Sequence, residues 1–210
     1  MNPSSPPSEM GKAFPWSDFI ERLFQTAGPY LTARGDWDHT TVSHGYALAL
    51  LRNEGGDRRI VEPAVILHDV GWSTLEPGDI FVAYGVLATG EEAERLNRMH
   101  ETEGAAIAER ILRSFDYEPE LIETIRVIVS RHDSGKVAPT LEEALVKDAD
   151  KLWRFSRIGF WKEAERQRLN PQTLLEFLAN RRRGWFFSST AQSLAEREIE
   201  ERREEMQQTP

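Results

Sequence analysis

The stretch Ala64-Val65-Ile66-Leu67-His68-Asp69-Val70-Gly71 places an imidazole next to a carboxylate at the end of an apolar run. Burying two adjacent ionisable groups costs several kcal/mol unless a partner compensates them. A divalent cation is the commonest such partner, because it binds imidazole nitrogen and carboxylate oxygen together. The stretch therefore predicts a helix that ends in a metal-binding pair, His68 and Asp69, inside the protein.

Length and composition limit the class of protein. The chain has 210 residues, of which 40% are hydrophobic and 29% charged. We expect a disordered Pro- and Ser-rich tail over residues 1–14 and a single domain over 15–210, with the C-terminal helices packed on it. The lack of a long apolar run predicts no membrane span, and the lack of a signal peptide predicts a cytoplasmic protein. A net charge of −9 argues against general nucleic-acid binding.

The absence of cysteine restricts the chemistry. Disulfides, thiolate nucleophiles and iron–sulfur sites are excluded, which leaves histidine and carboxylate as the strong metal ligands. Such ligands suit iron, manganese, magnesium, cobalt or zinc.

Apolar residues recur at helical spacing along most of the chain, and no alternating strand pattern of useful length occurs. The sequence therefore predicts an all-α fold. Segment 79–90 is ambiguous between a short helix and a loop on the substrate side. The predicted helices span residues 16–27, 39–53, 58–70, 91–115 (as one helix or two), 119–131, 141–161, 173–183 and 190–206.

Four of the five histidines and an acidic run form an ordered set around the central pair. This order, with its apolar framing, resembles the HD-domain superfamily of metal-dependent phosphohydrolases over about residues 36–160. The resemblance implies an HD-domain helical bundle, and the six-ligand variant of the family implies two metal ions. The set reads His39, His68-Asp69, His100, His132 and Asp148-Ala149-Asp150.

The histidine that opens the motif is a choice between His39 and His44. Steps of three or four residues connect His39 with Ser43, Ala47 and Leu50, which places it on a face of small and apolar residues. We therefore prefer His39. His44 is then either a residue that supports the site or a partly exposed helix histidine.

The closing carboxylate and the later histidines also leave alternatives. In the family, the ligand follows a small residue, which favours Asp150; Asp148 would then orient a ligand or solvate a helix start. His100 and His132 each match a family ligand of a second ion. Each could instead be a helix-end histidine that stabilises terminal carbonyl groups.

The resemblance implies that Asp69 bridges two ions, that His39, His68 and Asp150 complete one shell, and that His100 and His132 complete the other. A metal-activated water would then attack a phosphate ester or anhydride of a nucleotide or small phosphorylated metabolite. We expect Lys151 and Arg154 to act with Asp69 in catalysis by neutralising phosphoryl oxygens, and consider Arg131 and Lys136 as further candidates.

The same six ligands also resemble di-iron oxygenases of the myo-inositol oxygenase and phosphonate oxygenase kind, which are the alternative function. Substrate specificity is expected from residues 79–98 and four aromatic residues. Arg181-Arg182-Arg183 could reach an anionic substrate or a partner chain, but a solvated helix end is the preferred interpretation, and the sequence leaves a homodimer open. The four aromatic residues are Trp72, Tyr84, Trp153 and Phe155.

Overall fold

The computed structural model of the protein describes residues 15–83, 85–86 and 88–208. Within these residues the chain forms ten α-helices and three short 3-10 segments, with no β-strand, which confirms the all-α prediction. The predicted tail (1–14) and Tyr84 lie outside the described residues. The helices are α1 Trp16–Ala27, α2 Trp37–Glu54, α3 Arg58–Leu67, α4 Pro77–Ala83, α5 Glu91–Ser114, α6 Pro119–Val129, α7 Leu141–Leu152, α8 Arg157–Arg166, α9 Pro171–Arg181 and α10 Ser189–Gln208.

The helix that carries the central pair is shorter than predicted. It ends at Leu67, and a 3-10 segment, Val70–Thr74, follows. Gly71 explains the change of path, because a Cβ at this position would lie 1.8 Å from the carbonyl oxygen of His100 on α5. Glycine thus allows the backbone after α3 to approach α5 closely. This approach brings the His68–Asp69 turn beside a second histidine.

The helix predicted over residues 141–161 is broken in the structure. α7 ends at Leu152, a 3-10 segment covers Trp153–Phe155, and α8 begins at Arg157. Ser156 starts the new helix, because its Oγ accepts a hydrogen bond of 3.0 Å from the backbone N–H of Gly159. This local capping overrides the apolar periodicity that predicted one continuous helix.

Five helices build the core that surrounds the central pair. α5 packs along α6, α2 packs along α7, and α3 contacts α2, α6 and α7. Their apolar faces belong to one buried cluster, so the helix ends that carry the polar residues are held by extensive apolar packing. Members of this cluster include Ala47, Leu50, Val65, Ile66, Ala108, Leu112, Ile125, Ile128, Leu145 and Val146.

The C-terminal helices add to the same core. Leu174 and Leu178 of α9 and Ala195 and Ile199 of α10 belong to the buried cluster. The division of the chain into a tail and one domain stays a prediction. Among the described residues, no helix combines the length and apolar character needed to cross a membrane.

Candidate metal centre

Four side chains from three parts of the fold converge at the end of α3. His39 of α2 and His68 place their Nε2 atoms 2.8 Å apart. Oδ2 of Asp69 lies 3.2 Å from Nε2 of His39 and 3.3 Å from Nε2 of His68. Oδ1 of Asp150, on α7, lies 3.2 and 3.6 Å from the same two nitrogens. We call these four residues the first ligand group.

The other oxygen of Asp69 faces a second pair of histidines. Oδ1 lies 3.8 Å from Nε2 of His100 and 3.5 Å from Nε2 of His132, and these two nitrogens are 3.4 Å apart. Asp69, His100 and His132 form the second ligand group. The two groups therefore share a single carboxylate, with one oxygen directed to each, as a bridge between two ions would require.

Backbone hydrogen bonds determine which ring nitrogen faces the centre. Nδ1 of His68 lies 2.6 Å from the carbonyl oxygen of Val65, and Nδ1 of His132 lies 2.8 Å from that of Val129. A carbonyl oxygen only accepts, so each Nδ1 carries the proton and donates it. In the neutral ring, Nε2 then presents a lone pair to the centre, which is the tautomer that binds a metal.

The distances within both groups fit a bound cation. Ligands about 2.0–2.2 Å from a common ion are separated by roughly 3.0–3.6 Å in octahedral or tetrahedral arrangements. Most of the separations above fall in or near this range. Buried lone pairs and carboxylate oxygens that face one another repel unless a cation or a proton lies between them. His39, His68 and Asp69 are close enough together to hold a metal ion, and so are Asp69, His100 and His132. Asp150 adjoins the first set through both of its imidazoles.

Arg34 and Trp72 hold the shared carboxylate in place. Arg34 donates hydrogen bonds to both Asp36 and Asp69, and its guanidinium lies 4.7 Å from the centre of the Trp72 ring. Nε1 of Trp72 donates to Oδ1 of Asp69 over 2.9 Å. The same indole stacks on His100, with ring centres 3.9 Å apart. Such supporting contacts orient metal ligands.

The electrostatic surroundings keep the carboxylates ionised. Burial raises the pKa of Asp69, but the charge of Arg34 and the neighbouring His68 outweigh it, so the pKa lies well below its ordinary value. Burial also raises the pKa of Asp150, and hydrogen bonds from the adjacent imidazoles reverse this effect. Burial lowers the pKa of His100 far below its usual range, so this ring is neutral at neutral pH.

The two neighbouring aspartates have different surroundings. Asp150 lies in the first ligand group, whereas Asp148 accepts hydrogen bonds of 2.8–2.9 Å from the backbone N–H groups of Phe187 and Ser188 and from the Ser188 hydroxyl. Asp148 is fully buried, so it does not solvate a helix start. Its carboxylate instead ties α7 to the segment between α9 and α10.

His44 lies outside both ligand groups. Its Nε2 is 2.9 Å from Oε2 of Glu62, a buried carboxylate that also accepts hydrogen bonds from Trp16 and Arg58. His44 therefore joins α2 to α3 and supports packing of α1.

We expect His39→Ala to change the metal content of the protein and His44→Ala to change the stability of its fold. His39→Ala should lower the bound metal, because it removes an atom of the first ligand group. His44→Ala should keep the metal and destabilise the fold by about 1–3 kcal/mol, because it removes a hydrogen-bond partner from buried Glu62. Elemental analysis and chemical denaturation of both variants measure the two effects. Equal metal loss in both would show that the helix face is assigned wrongly.

Glu101 is a further buried residue that the sequence interpretation missed. One of its oxygens accepts hydrogen bonds of 2.9 Å from the backbone N–H groups of Asp133 and Ser134. The other oxygen pairs with Arg98 over 2.6 Å. Glu101 thereby ties α5 to the turn after α6, next to the two histidines of the second ligand group. Its position directly after His100 was the available signal.

A cavity of about 260 Å³ lies beside the metal centre. Both predicted catalytic cations, Lys151 and Arg154, line it, as does Arg181, which is exposed at the end of α9. Other lining residues touch the centre directly, since Trp72 and Arg34 contact Asp69. The lining also includes Ala83, Gly85, Val86, Ala88, Asn97, Asp133, Phe177 and Trp185.

The remaining candidates from the sequence have other environments. Arg131 forms an ion pair of 2.5 Å with buried Glu143. Neither Arg131 nor Lys136 is among the residues that line the cavity. Three of the aromatic residues expected to set specificity, Trp72, Trp153 and Phe155, are buried, and of these only Trp72 is among the residues that line the cavity.

Comparisons with known proteins identify the family. The family model of the HD domain matches residues 37–154. No curated protein matches the chain significantly. A structure of a predicted HD superfamily hydrolase from an uncultured Thermotogales bacterium superimposes with a TM-score of 0.60 and 15% identity, over 92% of this chain and 96% of the other.

An HD-superfamily hydrolase from Bacillus thuringiensis superimposes with a TM-score of 0.59 and 21% identity, over 91% of this chain and 95% of the other. At these identities the two likenesses concern the fold. The family model covers more than half of the sequence and includes every residue of both ligand groups. The chain therefore belongs to the HD domain family.

Proposed function

We propose that the protein is a metal-dependent phosphohydrolase that cleaves a phosphate ester or anhydride of a nucleotide or small phosphorylated metabolite. The observation that carries this proposal is the shared carboxylate of Asp69, which joins two ligand groups beside a cationic cavity. The two structural relatives, one a predicted HD superfamily hydrolase and the other an HD-superfamily hydrolase, support a hydrolytic reaction.

Each part of the site has a role in this reaction. Two divalent ions held by the ligand groups would polarise the phosphoryl group and acidify a water molecule. Arg34 and Trp72 keep Asp69 in its bridging orientation through their hydrogen bonds. Lys151 and Arg154 line the adjacent cavity, where they bind phosphoryl oxygens and stabilise their charge in the transition state.

There is also room for the rest of a substrate. Arg34 and Ala88 line both the cationic cavity and an adjoining cavity of about 540 Å³. The wall of the adjoining cavity combines apolar residues of α4, such as Ile80 and Phe81, with Arg166 and Arg168. A leaving group can therefore extend away from the metal centre.

Metal analysis and a substrate screen test the proposed function. Protein purified without added metal should contain bound metal. With manganese, magnesium or cobalt it should release phosphate or pyrophosphate from members of a panel of nucleotides and phosphate esters. The alternative of a di-iron oxygenase has no support from the comparisons. Oxygen consumption by the iron-loaded protein, without hydrolysis of any member of the panel, would favour that alternative and contradict the proposal.

Arg154→Ala provides a second test. We expect it to raise KM and to lower kcat/KM by at least about tenfold, because one charge-assisted hydrogen bond contributes about 1.5–3 kcal/mol and part of it is made in the transition state. Arg157→Ala is the matched control, since Arg157 is exposed, pairs with Glu205 and does not line the cavity. Steady-state kinetics with the best substrate of the panel give the kinetic constants of both variants. A similar rise in both variants would exclude a specific role for Arg154.

A further inference from the structure

The wall of the cavity beside the metal centre carries more positive charge than the binding of one phosphoryl group requires. Its lining contains four cationic side chains and a single carboxylate, Asp133. This is an excess of three positive charges in a chain whose net charge is −9. Positive charge concentrated in a cleft attracts anionic ligands. The four cations are Arg34, Lys151, Arg154 and Arg181.

Two of these cations are already engaged with carboxylates near the metal centre. Arg34 forms ion pairs with both Asp36 and Asp69. Arg154 is close enough to Asp150 and Asp133 to stabilise their charged forms. These two cations therefore belong to the part of the cavity that would receive the phosphoryl group.

The other two cations meet at Trp185. Nζ of Lys151 donates to the carbonyl oxygen of Trp185 over 3.0 Å, and the guanidinium of Arg181 lies 5.7 Å from the centre of its ring. Lys151 also lies 4.6 Å from the centre of the Phe187 ring. Among the described residues neither cation has a carboxylate within direct ion-pair distance, but the carboxylate of Asp148, one helical turn before Lys151 on α7, stabilises the charged form of Lys151. We call this part of the cavity the Trp185 end.

A separate observation indicates that the cavity receives a polar ligand. Oδ1 of Asn97 is buried and has no hydrogen-bond partner among the described residues. Asn97 lines the cavity and lies one helical turn before His100 on α5. An unpaired buried acceptor is costly, so a ligand that carries a hydroxyl or N–H group would satisfy it.

The positive charges of the metal centre and of the cavity wall can be balanced by two separate anionic groups of a substrate. With two divalent ions bound, Asp69 and Asp150 would leave two positive charges, which a dianionic phosphoryl group would balance, while Asp36 and Asp133 offset Arg34 and Arg154. At the Trp185 end, Asp148 offsets part of the charge of Lys151, so Lys151 and Arg181 together keep an excess of about one positive charge. Resting on the proposed function, we propose that the substrate carries a second anionic group, a carboxylate or a phosphate, which Lys151 and Arg181 bind at the Trp185 end.

Matched phosphonates test this proposal without requiring turnover. Phenylphosphonate has one anionic group, whereas 4-carboxyphenylphosphonate has two. We expect the metal-loaded wild type to bind the carboxylated compound about tenfold more tightly in calorimetry, and Arg181→Ala to remove this difference. Arg181→Lys should keep part of it, because the charge remains. Tighter binding of 1,4-phenylenediphosphonate than of the carboxylated compound would identify a phosphate as the better second group.

Arg183→Ala is the control, because Arg183 is exposed in the same arginine cluster but does not line the cavity. It should keep the wild-type preference. Equal affinity of the wild type for the first two phosphonates, or equal effects of Arg181→Ala and Arg183→Ala, would overturn the proposal. A preference that depends on Arg181 in a protein that hydrolyses no phosphate ester would instead contradict the proposed reaction and retain the anion site.

Discussion

Asp69→Asn is expected to remove most of the bound metal and to lower the activity by at least about a thousandfold. Both ligand groups lose their shared carboxylate in this variant, since one oxygen of Asp69 faces each histidine pair. Losing the charge stabilisation that metal ions supply costs several kcal/mol in the transition state, and about 4 kcal/mol corresponds to a thousandfold. Elemental analysis and kcat/KM with the best substrate measure the two effects.

Asp36→Asn is the matched control for this substitution. Asp36 is as deeply buried as Asp69 and also accepts a hydrogen bond from Arg34, but it belongs to neither ligand group. Loss of a carboxylate beside Arg34 is therefore common to both variants, and only Asp69→Asn affects the metal ligands directly. Asp36→Asn should keep its metal. Full metal content and activity in Asp69→Asn would show that Asp69 is no ligand.

The sequence contained enough information for the fold class and for the clustering of the candidate ligands around Asp69. Apolar residues at helical spacing predict the helices because burial of a continuous apolar face dominates their stability. The apolar run before His68 and Asp69 predicts that both are buried, and they are. The helix-face argument preferred His39 to His44 as a candidate ligand. In the structure His39 lies beside His68, whereas His44 lies beside Glu62.

The positions of Arg34 and Arg181 at the cavity could not be read from the sequence. Arg34 lies in the turn before α2 and reaches Asp69, which is 35 residues away in the chain. Arg181 reaches the cavity because the apolar face of α9 packs into the core. Both contacts depend on tertiary packing, and neither arginine is part of a periodic pattern. The lengths of α3 and α7 were predicted wrongly for a related reason. The close backbone approach at Gly71 and the side-chain cap of Ser156 redirect the chain just after these helices.

The number of bound ions decides between the two ways of interpreting His100 and His132. If the second ligand group holds an ion, His100→Ala or His132→Ala should lower the metal content from two ions to about one per chain. The first ligand group keeps its own four residues, so it should still bind. Activity should fall with the second ion, while circular dichroism should show a helical fold. Glu103→Ala is the control, because Glu103 is exposed on the same helix as His100.

If the two histidines only stabilise helix ends, a different result is expected. His132 does contact the carbonyl oxygen of Val129 near the end of α6, and a helix-end interaction of this kind contributes about 1 kcal/mol. Each substitution would then lower the melting temperature slightly and leave the metal content unchanged. However, Nε2 of His132 faces Asp69 while its Nδ1 contacts the backbone, so the same ring can serve both purposes. One ion per chain in the wild type and in both variants would exclude the dinuclear centre and leave the four residues of the first ligand group as the complete site.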